Sequence, residues 1–148
     1  MLNKEFWDRV GADVVNRYRK QIFDEAKDVF GNNYPEYSEK YGRKKRANKF
    51  KRQASDFSGS KAPVLTGDLY RSFKMRGKPD NTGFTFGTTV WGGKVKDLEK
   101  LGRVISTEEQ PIPQADIDWL LLKAKNYTQE RLKKMFKKAI GKGIDIKL

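Results

Sequence analysis

An apolar residue stands at every fourth position through the start of the chain: Phe6, Val10, Val14, Tyr18, Ile22, Ala26 and Phe30, with Val15, Phe23 and Val29 widening the stripe. That spacing follows the turn of an α-helix and predicts one long amphipathic helix over Leu2 to Phe30. Gly31, Asn32 and Asn33 come next, residue types that tolerate positive φ and so serve as a helix stop.

A second feature is charge. The net charge of the 148-residue chain is +13, and residues 40–62 hold most of the excess, with nine cations against one carboxylate. A field of this strength predicts an anionic partner, either nucleic acid or an acidic protein surface, and says little about fold. Apolar residues make up 36% and charged residues 34%, so the core is small and many side chains face water or partners, as suits an assembly subunit. A chain of this length buries roughly 68–70% of its unfolded surface, enough for one core. A single domain over residues 1–148 is expected, with 34–61 as a basic insertion or loop within it.

Cysteine and histidine are both absent. This removes cysteine nucleophiles, Ser-His-Asp triads, disulfides, zinc fingers and histidine metal ligands together. No cofactor is expected. The longest aliphatic-aromatic run is Trp119 to Leu122 and the N-terminal residues mix charged with apolar types, so neither a signal peptide nor a membrane span is expected, and the protein belongs in a cytosol.

Along the chain, residues 34–61 form a polar, aromatic-dotted excursion in which Phe50, Ala54 and Phe57 stand at helical spacing and predict a short helix. In Ala62 to Phe73, APVLTGDLYRSF, Thr66 suits an N-cap worth ~1 kcal/mol, and Asp68 suits the helix dipole. Turn formers at 77–83 separate Phe73–Arg76 from the alternating FTFGTTVW, which predicts a hairpin. Val95, Leu98 and Leu101 share one side of a short helix that Gly102 can end, and Arg103 to Ser106 follows as a third strand. Ala115 to Leu122 fits both periods; a strand is favoured because Ile117, Trp119 and Leu121 alternate. Asn126 to Gln129 resembles a capping box for a last helix carrying Leu132, Met135, Phe136, Ala139 and Ile140. The sum is an α+β fold: an antiparallel sheet of about four strands packed by long N-terminal and C-terminal helices.

Several of these residues form an ordered series: Ala62-Pro63-Val64, Thr66-Gly67, Leu69 and Ser72, then Gly87-Thr88 and Val90, then Leu101-Gly102-Arg103 and Ile105-Ser106, then Pro111-Ile112-Pro113. The series resembles the small tail-completion, or virion morphogenesis, proteins of tailed bacteriophages over most of residues 60–140. Tyr34-Pro35 is similar to an aromatic and proline insertion seen in part of that family. Two departures stand out: Glu99 to Leu101 replaces a frequent histidine and aromatic pair, and Gln114-Ala115 stands where an arginine often follows Ile-Pro. The resemblance implies a non-enzymatic ring subunit of the virion, at the head-tail junction or the head-proximal tail end, assembled in the host cytoplasm. Six-fold or twelve-fold homo-oligomeric rings are usual there, in contact with neck, portal-adaptor or tail-tube proteins and with no membrane. Its motif residues Pro63, Thr66, Gly67, Leu69, Ser72, Gly87 and Gly102 read as architectural.

Candidate contact residues are Lys40, Arg43, Lys44, Lys45, Arg46, Lys49, Lys51 and Arg52, interleaved with Tyr41 and Phe50. Three readings stand beside one another: a solvated loop, a surface for an acidic neighbouring subunit, and a contact with packaged DNA. The rival from another class is a small basic nucleic-acid-binding module, although no helix-turn-helix, zinc or ribonucleoprotein motif accompanies it. A third is a metal-dependent nuclease using Asp116 and Asp118, which would share a strand face without a third ligand. Trp91 and Trp119 read equally as partner anchors or half-buried sheet residues.

Overall fold

The computed structural model describes residues 2–65, 67–88 and 92–140, apart from the side chains of 92, 139 and 140. The chain is a mixed α and β protein. Helix α1 (Lys4–Arg19) starts where the Asn3 side chain accepts from the Phe6 N–H at 3.2 Å, and buries Phe6, Val10, Gly11, Val14, Val15 and Tyr18. It widens into a π-helical turn at Lys20–Asp24 that buries Ile22 and Phe23. Ala26 then takes φ +55°, and the Lys27 N–H closes back on the Gln21 carbonyl at 3.0 Å. The helix therefore stops before the Gly31 site the sequence suggested. Gly31, at φ +89°, instead forms a tight turn that pairs Lys27 with Asn33, and Phe30 is exposed. The Asp28 carboxylate holds this turn by accepting from the N–H groups of Phe30 and Asn32.

Within the basic excursion the helix is α2 (Glu39–Arg46), with Ser38 as N-cap. The expected helix at Phe50 to Phe57 is reduced to a 3₁₀ turn at Ser55–Phe57, because Asn48 and Arg52 both take positive φ and break any regular run. Helix α3 (Asp68–Ser72) begins at Gly67, whose φ of +80° is open to glycine and strained for other residues. Thr66, the expected cap, lies outside the described residues.

Strands β1 (Lys74–Arg76) and β2 (Thr85–Gly87) pair antiparallel with Met75 opposite Phe86. Asp80 organises the connecting loop by accepting from the N–H groups of Thr82 and Gly83, and Asn81 receives the Lys4 N–H at the head of α1. Helix α4 (Gly92–Lys100) ends in a Schellman closure: Arg103 N–H to Leu98 carbonyl, Gly102 N–H to Glu99 carbonyl, and Gly102 at φ +71°.

The sheet has two strands among the described residues, where about four were expected. Arg103 to Ser106 forms no ladder; the Val29 N–H donating to the Val104 carbonyl at 2.9 Å and the Tyr18 hydroxyl donating to the Ile105 carbonyl at 2.8 Å tie it to the body. Ala115 to Leu122 is helical, the opening of the 27-residue α5 (Gln114–Ile140). Asn126 to Gln129 consequently lies inside a continuous helix and caps nothing. The helical period wins because α5 seats on α1: Tyr127 packs on Phe6 at 5.2 Å, its hydroxyl donates to Asn3 Oδ1 at 2.8 Å, and Asp116 pairs with Arg17 at 2.8 Å.

The core joins these parts through aromatic rings. Tyr18 stacks on Phe73 at 5.2 Å and meets Phe86 edge-on, and Phe23 reaches Phe73 and Tyr70. Ala62, Val64, Leu69 and Phe73, all from the APVLTGDLYRSF stretch, are buried in it beside Val29, Leu98 and Ile105.

Candidate partner interface

Helix α2 is built from charge. Glu39 lies in its first turn and Arg43, Lys44, Lys45 and Arg46 in its last, the arrangement that complements a helix dipole. Lys40, Arg43, Lys44 and Arg46 on α2, and Lys49, Lys51 and Arg52 just after it, are exposed. Glu39 pairs with Arg43 at 3.4 Å. The result is a cationic surface with the Tyr41 and Phe50 rings in tilted contact at 5.0 Å alongside it.

Lys45 departs from the surface reading. It is 1% exposed, and its Nζ donates to the carbonyls of Ser60 at 2.7 Å and Ala62 at 3.0 Å. Burial first, and the Arg103 charge second, lower its pKa to about 8. Seven of the eight expected contact cations are therefore exposed, and the eighth pins α2 to the chain ahead of α3.

Beneath this surface lies a second buried cation. Arg103 is 5% exposed, with its guanidinium carbon 3.9 Å from the centroid of Tyr37. The Lys45 ammonium is 4.8 Å from the same ring, and the Tyr37 hydroxyl donates to the Ala62 carbonyl at 2.8 Å. Arg103 donates to the Pro35 carbonyl at 2.8 Å and to the Leu101 carbonyl at 3.3 Å. Gly102 makes this possible by close approach, since a Cβ there would lie 3.3 Å from Pro35 Cγ.

A cavity of about 550 Å³ opens beside this cluster, between the start of α2, the stretch before α3, and α4; its walls include Tyr37, Tyr41, Val64, Leu69, Leu98 and Arg103. Pro63 and Gly67 also face it. No family model, curated protein or solved structure matches this chain. The cavity and the surfaces around it thus carry their meaning in their own residues.

The second surface is on α5. Its inner side carries Asp116, Ile117, Leu120, Ala124 and Tyr127, all buried or half-buried, and that side ends at Thr128. From Gln129 to Lys138 every side chain is exposed. Leu132, Met135 and Phe136 leave large apolar groups in water there, Met135 at 62% and Phe136 at 53%, and Leu121 and Leu122 do so two to three turns earlier. At 100° per residue these five fall on one side of the helix, flanked by Arg131, Lys133, Lys134, Lys137 and Lys138.

Asp116 and Asp118 are not brought together. Because Ala115 to Leu122 is helical, Asp116 and Asp118 diverge: Asp116 is buried on Arg17, while exposed Asp118 accepts from Gln114. Burial raises the pKa of Asp116 against the opposing pull of Arg17. Among the described residues no group of three or more Asp and Glu is placed to hold a metal. Trp119 is half-buried on α5 beneath the Arg17 guanidinium at 5.0 Å; Trp91 lies outside the described residues. No described helix is long and apolar enough to cross a membrane. The buried Arg103 charge and the cavity were missed in the sequence, where Leu101-Gly102-Arg103 reads as a helix end, a strand start and part of the family series, none of which marks a buried cation.

Proposed function

We propose that this chain is a non-enzymatic structural subunit of a tailed-bacteriophage virion, of the tail-completion type. It forms a ring of six or twelve copies at the head-tail junction or the head-proximal tail end, against neck, portal-adaptor or tail-tube proteins. The observation that carries this reading is the outer half of α5, whose apolar stripe has no covering layer among the described residues. Fully burying a Leu, Met or Phe side chain contributes about 1.5–3 kcal/mol, whereas a close pair of exposed like charges costs ~1 kcal/mol in water. A few stripe residues covered at each contact offset the repulsion between copies of a +13 chain. Closure of the ring follows when each copy presents one surface to the next at a fixed rotation.

The exposed cations of α2 favour a second reading, a small nucleic-acid-binding module. Light scattering with and without DNA separates the two. The ring reading expects a six- or twelve-copy, or polymerising, species without DNA, reduced to monomer by Leu132→Glu with Phe136→Glu. A monomer that gains mass only with DNA favours the second.

A further inference from the structure

We propose that the cavity between α2, α4 and the stretch before α3 binds a carboxylate carried on an apolar chain, with Arg103 as the charge that recognises it. Arg103 is a buried charge without a counter-charge among the described residues. A buried guanidinium is ordinarily matched by a carboxylate, because it cannot release its proton and burial strips away its water. Arg103 has no such match among the described residues: the nearby acids are engaged elsewhere, Glu36 with Lys61, Glu39 with Arg43 and Asp68 with Arg71. Its two carbonyl acceptors carry only partial charge, and its Nε is buried with no acceptor. Lys45, on the same Tyr37 ring, adds a second buried positive charge instead of compensating the first.

The space beside this charge has the right form. At about 550 Å³ the cavity falls in the size range of small-ligand sites, and Val64, Leu65, Leu69, Leu98 and Leu101 give it apolar walls. The lining also carries Lys94 and the carboxylates Glu36 and Asp68, the two acids being paired with Lys61 and Arg71. Arg103 is thus the buried cation set among the apolar walls, and it selects a ligand with one anionic end and an aliphatic or aromatic body. A free carboxylic acid has that chemistry, and so does a Glu side chain set among large apolar residues on a partner protein. The inference does not depend on the ring reading.

The test is calorimetric titration of the full chain with octanoate and, separately, with the peptide acetyl-Leu-Glu-Leu-Phe-amide, each against a neutral control, octanol or the Gln peptide. Methyl shifts at Val64, Leu69 and Leu98 locate the binding. At least one acid is expected to bind tenfold or more tightly than its neutral control, and which acid does so identifies the source. Arg103→Gln should erase that preference and Arg103→Lys should keep part of it. Leu101→Trp, at a rim position that is 64% exposed, should weaken binding at least tenfold by filling the mouth. Equal binding of acid and control in both arms, or no binding in either, overturns the proposal, as does a preference that survives Arg103→Gln.

Discussion

The Tyr18 hydroxyl donates to the backbone carbonyl of Ile105 at 2.8 Å, joining α1 to the segment that follows α4 across 87 residues of sequence. Both residues are almost wholly buried, and burial pushes the Tyr18 phenol well above its ordinary range. Tyr18→Phe removes the donor and strands a buried carbonyl, which costs about 1–3 kcal/mol. Phe73→Ala, which empties the ring stacked on Tyr18, should cost more, about 3–5 kcal/mol. Urea midpoints of the two variants check the order.

Gly11 and Met75 mark where the hairpin lies on α1. A Cβ at Gly11 would stand 2.9 Å from Met75 Cε, the free end of a flexible side chain. Gly11→Ala should be close to neutral, because the helix gains about 0.8–1 kcal/mol in propensity while Met75 shifts. Gly11→Leu has no room and should lose about 1–3 kcal/mol through overpacking. Thermal unfolding of both variants separates propensity from packing.

Lys45 gives the fold a pH dependence of known sign. Its folded pKa is about 8 against an ordinary 10.5. Between those values the unfolded chain binds more protons than the folded one, so this group's contribution rises as pH climbs from 8 to 10.5 and is flat outside that window. The wild-type minus Lys45→Met difference in unfolding free energy should therefore rise across that interval. Taking the difference cancels the buried tyrosines, which titrate in both proteins. A flat difference would mean that the ammonium is not desolvated.

The cationic surface makes a graded prediction. If four of its seven exposed cations meet phosphates, the log-log salt slope of DNA binding is roughly −3.6, from −0.9 per contact. Substituting Arg43, Lys44, Lys49 and Arg52 by Gln should bring the slope toward zero. A wild-type slope already near zero assigns the surface to a protein neighbour or to solvent.

Much of the fold was legible where one periodicity had no competitor. Asn3 to Tyr18, the hairpin around Met75 and Phe86, and the α4 end at Gly102 all carry local signals that the tertiary structure does not oppose. Ala115 to Leu122 was misread because alternating Ile117, Trp119 and Leu121 satisfy a strand as well as a helix. Only contacts with Arg17 and Phe6, distant in sequence, settle the choice. The early end of α1 was hidden for a related reason: the π turn at Lys20–Asp24 keeps Ile22 and Phe23 inside, so the stripe looks unbroken while the helix is ending. The cationic surface was visible as a charge run. Inward-turned Lys45 was not, because its acceptors are backbone carbonyls of Ser60 and Ala62, which leave no mark in side-chain sequence.

The central claim is that the chain is a ring subunit of the virion neck or tail, and imaging phage particles from the genome that encodes it tests this most directly. Electron cryomicroscopy should find a closed ring of six or twelve copies at the head-tail junction or the head-proximal tail end, with the outer half of α5 buried against a neighbour. Complete, infectious particles whose neck and tail contain no copy of the chain would contradict it.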